Sequence, residues 1–267
     1  MGIFDGILLA SDWDGTLCYN GKLNPKDIES IKYFCREGGL FTLSSGRSLH
    51  YMRQFFEHIK PNTYAITLNG AVIAHPDNGD IMYQGVLNRD ISATIYNLMI
   101  ENALFHTVYV YYENEGEAIF YDRETFPAAR ERIKSGSLHK AVFVTDDPTK
   151  VRKAKELLEL REDTDGLIFV GSWDTSLEVL AEDSAKGYAI KRLAEKVGAN
   201  LTVAVGDYEN DSQMIEMADI GYAVGNAAES LKAIADRITV RAKDGALSHI
   251  IADLERDIKS KASKHDT

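Results

Sequence analysis

The run Ile3-Phe4-Asp5-Gly6-Ile7-Leu8-Leu9-Ala10-Ser11 leads directly into Asp12-Trp13-Asp14-Gly15-Thr16-Leu17. A short apolar stretch of this kind suits a buried strand, here ending in two acids and a glycine. Asn24-Pro25 then supplies an N-cap and first-turn pair for a helix carrying Ile28, Ile31 and Phe34, which Gly38-Gly39 stops. A second strand is expected over 40–44, followed by a helix carrying Met52, Phe55, Phe56 and Ile59 that ends before Pro61. The C-terminal part repeats the rhythm: helix over 185–197, strand over 201–205, helix over 211–217, strand over 220–224, and helices on either side of a short strand at 238–240. Strands alternating with helices in this way predict an α/β fold, a doubly wound and mainly parallel sheet.

The middle of the chain breaks that rhythm. Residues 63–83 read as short strands separated by the turn signals Asn69-Gly70 and Asp77-Asn78-Gly79. From Val86 the order becomes helix, a strand pair over 105–112 and 117–121 split at 113–116, a short helix, a strand over 141–144, a helix over 148–160 and further strands. This predicts an α+β insert at 86–181 between two halves of one core, 1–85 and 182–267, with a charged, fraying helix end after Ile258.

Composition excludes several classes of function. The 267 residues are 45% hydrophobic, enough for a sizeable core, so general disorder is ruled out. Lys and Arg number 30 against 41 Asp and Glu, and a formal charge of −11 is the wrong sign for a nucleic-acid partner. No apolar run approaches a membrane span, and no basic segment precedes the first apolar run as a secretory signal requires. Gly6 stands where a myristoylation signal needs Ser or Thr. Cys18 and Cys35 are too few for a disulfide framework and lack metal-ligand spacing. A cytoplasmic protein, monomeric or a small homo-oligomer, is expected.

Ligands of open parallel sheets bind beyond the carboxyl ends of the strands, so the residues that follow each apolar run carry the functional reading. Asp12 and Asp14, two residues apart, can share a hard cation, although a bare acid-rich Gly turn has the same appearance. Ser44-Ser45-Gly46-Arg47 precedes a helix, where hydroxyls and free amides can receive a phosphate or simply cap the helix. Lys186 opens a helix, an unfavourable end for a cation, so its charge serves something other than the helix, although a lone lysine at such a place is most often just solvated. Gly206-Asp207-Tyr208-Glu209-Asn210-Asp211 places a second acidic cluster at a third strand end. Together these groups make one coherent site for a divalent cation and a phosphoryl group.

In order, Asp12-Trp13-Asp14-Gly15-Thr16-Leu17, Ser45-Gly46-Arg47, Lys186-Gly187 and Gly206-Asp207-Tyr208-Glu209-Asn210-Asp211 resemble the four motifs of haloacid dehalogenase superfamily phosphatases. Asn69-Gly70 and the large insert resemble the Cof-type branch, which carries an α/β cap. Ser45 stands where that branch more often has Thr, and the hydroxyl is kept.

The resemblance implies a Mg²⁺-dependent phosphatase of small phosphorylated metabolites, such as sugar phosphates or phosphoglycolate. Asp12 would be the nucleophile and Asp14 the general acid and base. Asp12, the Asp14 backbone carbonyl and Asp207 would hold Mg²⁺, with Asp211 close by. Ser45, Gly46 and Lys186 would hold the phosphoryl oxygens, Asn210 would orient substrate or Lys186, and Arg47 would bind substrate. A hexose phosphomutase of the same superfamily is the alternative within enzymes, and a receiver-like phosphoacceptor domain the alternative outside them. Discrimination of the leaving group is expected in the insert, and the polar or aromatic candidates for it are Arg47, His106, Tyr109, Tyr111, Arg123 and His139.

Overall fold

The computed structural model describes residues 2–87, 90–113, 117–161 and 164–265. A five-stranded parallel sheet runs in the order Arg237–Ile238, Ile220–Ala223, Leu201–Gly206, Ile7–Ser11, Leu40–Leu43. Every residue of Ile7–Ser11 is buried, as a strand covered on both faces requires. The chain steps from this strand to Leu40–Leu43 in one direction, and from Leu201–Gly206 to Ile220–Ala223 in the other. Right-handed crossovers in opposite directions put their helices on opposite faces, so the sheet is doubly wound. The order reverses between Ile7–Ser11 and Leu201–Gly206, and the crevice beyond their carboxyl ends is the natural ligand position.

Local chemistry explains the helix that crosses from the first strand to the second. Asn24 caps Pro25–Arg36 by accepting the Lys26 N–H at 2.9 Å, and Ile31 and Phe34 enter the core. Asp27 in its first turn is buried and accepts the Ser248 N–H at 2.7 Å, capping the start of the last helix, Ala246–His265. Burial pushes the Asp27 carboxyl up to about 6.

A second sheet is antiparallel, in the order Leu167–Val170, Ser176–Ala181, Leu138–Val144, Thr107–Tyr112, Ile119–Asp122. One of its faces packs with the helices Phe126–Ser135 and Pro148–Glu159 around a core of its own that includes Val108, Phe126, Phe143 and Val179. Tyr111, Lys140, Val142 and Glu178 alternate with those core positions and line a cavity against the parallel sheet. A third, three-stranded sheet of Ala65–Thr67, Val72–Ala74 and Ile81–Gln84 follows the Asn-Gly turn signals. Among the described residues, no helix is long and apolar enough to cross a membrane.

Several elements differ from expectation. The first strand begins at Ile7 rather than Ile3, because residues 3–6 form a turn closed by Gly6 at φ 80°. After Arg47 the helix covers only Leu49–Met52 and continues as a 3₁₀ turn, Arg53–Phe55. There Arg53 donates to the Pro76 and Asp77 carbonyls and the Phe55 ring meets Trp13, tertiary contacts that a continuous helix would break. The short strand near the C-terminus is Arg237–Ile238, and the expected fraying end stays helical to His265. Of the expected break at 113–116, residues 114–116 lie outside the described residues.

The two connections between the parallel and antiparallel sheets run side by side. A Cβ added at Gly85 would meet Ser184 Oγ at 1.8 Å. Gly85 also donates its N–H to Ala71 and accepts at its carbonyl from the buried His139 ring, both at 2.7 Å, so it cannot retreat. Gly85→Ala is expected to cost about 1–3 kcal/mol, as overpacking does. Thermal melts should show the loss, and partial recovery in Gly85→Ala/Ser184→Ala.

Candidate active site

Asp12 leaves the end of the Ile7–Ser11 strand with its N–H donating to the Val205 carbonyl at 3.0 Å, so the two central strands fix its backbone. Beyond it Trp13 is buried and anchors the loop. Cys18 N–H closes the turn onto the Trp13 carbonyl at 2.8 Å, and Asn226 Nδ2 donates to the Gly15 carbonyl at 2.8 Å. Gly15 has φ 85°, and a Cβ there would fall 2.2 Å from Asp207 Oδ2. Only glycine lets the first loop close over the second acidic cluster.

Asp207 follows the Leu201–Gly206 strand, and Asp211 ends the 3₁₀ turn Glu209–Asp211. Asp211 Oδ2 accepts the Asp207 N–H at 2.9 Å. Lys186, the first residue of the helix Lys186–Val197, donates from Nζ to Asp12 Oδ1 and to Asp211 Oδ1, each at 2.6 Å. The carboxylates of Asp12, Asp207 and Asp211 present oxygens within 4.8 Å of one another.

Three buried or half-buried carboxylates face a single ammonium, which leaves two negative charges without a partner. Burial raises the Asp12 carboxyl well above the usual range; Asp211 adds to the rise and Lys186 opposes it. Burial and the Asp211 charge push Asp207 up to about 7. Burial disfavours the Lys186 charge, yet the two carboxylates outweigh it and hold the ammonium more firmly protonated than usual. Asp12 Oδ2 is buried with no hydrogen-bond partner. An unpaired buried carboxylate oxygen is costly unless it meets a cation or a reacting atom, so these residues suit a divalent metal with oxygen ligands.

Asp14 points elsewhere. Arg47 holds it in a fork, Nε to Oδ2 at 2.9 Å and Nη2 to Oδ1 at 3.1 Å, and the guanidinium stacks over Tyr51 at 4.6 Å. The side chain of Asp14 is therefore outside the three-carboxylate group, and Arg47, expected on substrate, is engaged with Asp14. Ser45 is buried, and its Oγ accepts the Arg47 N–H at 3.1 Å, which leaves the hydroxyl proton free to donate. Asn210 Nδ2 donates to Asn69 Oδ1 at 3.1 Å and orients that residue rather than Lys186.

Asp12, Asp14, Gly46, Arg47, Asp207 and Asn210 all line one cavity of about 440 Å³. Its far wall comes from Tyr111, Lys140 and Glu178 of the antiparallel sheet and Trp173 of the loop between its strands Leu167–Val170 and Ser176–Ala181. Of the six residues proposed from the sequence for discrimination, Arg47 and Tyr111 line it and the other four do not. Arg123 is spent on the Phe105 and Ala103 carbonyls, His139 on Gly85, His106 contacts Thr107, and Tyr109 packs on Phe120. Lys140, Glu178, Trp173 and Asn226 were not singled out. For Lys140 and Glu178 a signal existed, a charge within the apolar runs Lys140-Ala141-Val142-Phe143-Val144 and Leu177-Glu178-Val179-Leu180.

The sequence profile of the haloacid dehalogenase-like hydrolases matches residues 9–251. Phosphatase YwpJ of Bacillus subtilis (strain 168) is 27% identical over 284 residues, covering 92% of this chain and 99% of that protein. The 5-amino-6-(5-phospho-D-ribitylamino)uracil phosphatase YcsE of the same organism is 30% identical over 237 residues, covering 87% and 89%. Among solved structures, a haloacid dehalogenase-like hydrolase from B. subtilis superposes with a TM-score of 0.76 at 23% identity, covering 92% of this chain and 98% of that one. The sugar phosphatase BT4131 superposes with the same TM-score at 17% identity, over 92% and 98%. The chain thus belongs to the haloacid dehalogenase-like hydrolases, as a phosphatase of the Cof-type branch.

Proposed function

We propose that the protein is a cytoplasmic, Mg²⁺-dependent phosphatase of small phosphorylated metabolites, working as a monomer or small homo-oligomer through an aspartyl phosphate on Asp12. Residues 86–181 act as the cap, on a core of 1–85 and 182–267. The observation that carries this reading is the state of Asp12: the residue lines the cavity, one carboxylate oxygen is held by Lys186, and the other is buried without a hydrogen-bond partner. Asp12 attacks phosphorus as the bond to the leaving oxygen breaks, and Asp14, released from the Arg47 fork in its protonated form, gives that oxygen its proton. Asp14 then takes a proton from water, whose oxygen attacks phosphorus, releasing inorganic phosphate and the free Asp12 carboxylate. The Ser45 hydroxyl and Gly46 N–H hold phosphoryl oxygens, and Lys186 favours the ionised form of Asp12. Asp12, Asp207, Asp211 and the Asp14 carbonyl would hold Mg²⁺, which offsets charge on the transferring phosphoryl group.

The cavity is large enough for a sugar or polyol phosphate, and Tyr111 and Trp173 offer faces for a ring or carbon skeleton. Phosphate release from a panel of phosphorylated metabolites with Mg²⁺, including 5-amino-6-(5-phospho-D-ribitylamino)uracil, tests the substrate class. Adding a bisphosphate activator to a hexose monophosphate tests for mutase activity.

Chelation should abolish hydrolysis of an aryl phosphate, and Mg²⁺ should restore it; full activity in excess EDTA would refute the site. The metal should also act on stability in a pH-dependent way. A carboxyl raised to about 7 in the fold favours folding while it is protonated. That contribution is complete below the ordinary carboxylate range near ~4 and lost as pH rises through about 7. Metal-free protein should therefore lose stability across this window. Mg²⁺ competes with the proton, so it should raise the melting temperature by roughly 5 °C or more at pH 8 and by little at pH 5.

A further inference from the structure

Lys140 and Glu178 stand on adjacent strands of the cap sheet and are 1% and 3% exposed, though both are charged. Lys140 Nζ donates to Glu178 Oε2 at 2.7 Å. Each of them also reaches the core. Lys140 Nζ donates to the Gly46 carbonyl at 2.9 Å. Glu178 Oε2 accepts from Asn69 Nδ2 at 2.7 Å, and Oε1 accepts from Ser172.

Both contacts converge on the same short loop. The Gly46 carbonyl belongs to the peptide whose N–H, that of Arg47, donates to Ser45 Oγ at 3.1 Å. Asn69 donates its own backbone N–H to the Ser45 carbonyl at 2.9 Å and sits in the left-handed region at φ 58°, a strained conformation held by its neighbours. From the cap, then, one chain of hydrogen bonds runs Lys140 to the 46–47 peptide to the Ser45 hydroxyl. A second runs Glu178 to Asn69 to the Ser45 carbonyl.

A buried ion pair is a poor source of stability, since apolar residues of the same volume commonly serve as well or better. Its use here has to be sought in geometry. We infer that Lys140 and Glu178 are positioning residues that clamp the Ser45–Gly46 phosphate loop from the cap, so that the Ser45 hydroxyl is aimed and polarised only with the cap seated. Hydrogen bonds in such a chain strengthen one another, and the Arg47 N–H leaves the Ser45 proton as the one aimed outward. This inference rests on the reading of Ser45 as a phosphoryl ligand. It makes the cap a contributor to phosphoryl binding as well as to the choice of leaving group.

The test uses the full-length protein with Mg²⁺, inorganic phosphate as the binding probe, and an aryl phosphate for turnover. Lys140→Met/Glu178→Leu removes both charges at similar volume and leaves neither charge buried alone, while the Gly46 carbonyl and Asn69 Nδ2 lose their partners, so thermal melts should show a folded protein with a modestly lowered melting temperature. Phosphate affinity, read by calorimetry, should weaken about 10- to 100-fold, the range of a lost hydrogen bond to a charged group. Aryl phosphate turnover should fall by a similar factor, although that substrate offers the cap little to recognise. Ser45→Ala should weaken phosphate binding on its own, and combining it with the double variant should add little, because both act through one hydroxyl. Parental phosphate affinity in the double variant, or losses that multiply with Ser45→Ala, would overturn the inference alone. Parental affinity in Ser45→Ala would overturn the phosphate-loop reading as well.

Discussion

Asp12→Asn lowers turnover by at least ~10⁴-fold and leaves no labelled phosphate on the protein after a brief reaction and quench, because the amide cannot form the acyl phosphate. The expectation follows from Asp12, which lines the cavity and has one carboxylate oxygen without a partner. The fold should survive. Burial and neighbouring carboxylates hold the Asp12 carboxyl well above its usual range, so a neutral side chain of the same shape relieves repulsion, and the metal-free melting temperature should stay level or rise. Asp14→Asn behaves differently. Its carboxylate is forked by Arg47 and lies outside the three-carboxylate group, so phosphoenzyme still forms while proton transfer is lost. A loss of about 10²- to 10⁴-fold is expected, smaller for leaving groups of low pKa. Labelled phosphate trapped on Asp12→Asn would move the nucleophile elsewhere.

Lys186→Met is the substitution expected to cost most in stability. The ammonium is completely buried and bonded at 2.6 Å to both Asp12 and Asp211, and removing it strands two carboxylates. Breaking a buried ion pair from one side typically costs about 3–5 kcal/mol, which for a chain of this length lowers the melting temperature by roughly 10 °C. Mg²⁺ should return part of that loss at pH 8, because it neutralises the same oxygens. Thermal denaturation with and without Mg²⁺ measures both effects. A variant that melts with the parent under both conditions would show that the lysine is not what balances the cluster.

Much of the core was legible because its signals are local. The buried strand Ile7–Ser11, the Asn24-Pro25 helix start and the acids after each strand depend on neighbours within a few residues. The carboxyl ends of parallel strands share one edge, so Asp12, Ser45, Asp207 and Asp211 could be grouped from their place after each apolar run, whereas the strand before Lys186 belongs to the antiparallel sheet and the lysine enters the site from the start of its helix. The residues of the opposite wall were misjudged for the complementary reason. Polarity at a strand position does not tell which of its hydrogen bonds are local. Arg123 and His139 satisfy backbone carbonyls, whereas Lys140 and Glu178, hidden inside apolar runs, reach the site.

The sequence by itself therefore determined the doubly wound core, the order of its strand-end motifs and the acidic character of the site, since periodicity, capping and turn chemistry act over short distances. Tertiary structure alone decided how those groups are partnered. It turned Asp14 toward Arg47 and away from the three-carboxylate group, left one oxygen of Asp12 free, and joined Asn210 to Asn69 and Glu178 across two sheets. The physical reason is that a polar side chain held in the fold settles on whichever partners the packing brings within about 3 Å, and those partners lie 33, 109, 141 and 174 residues away along the chain.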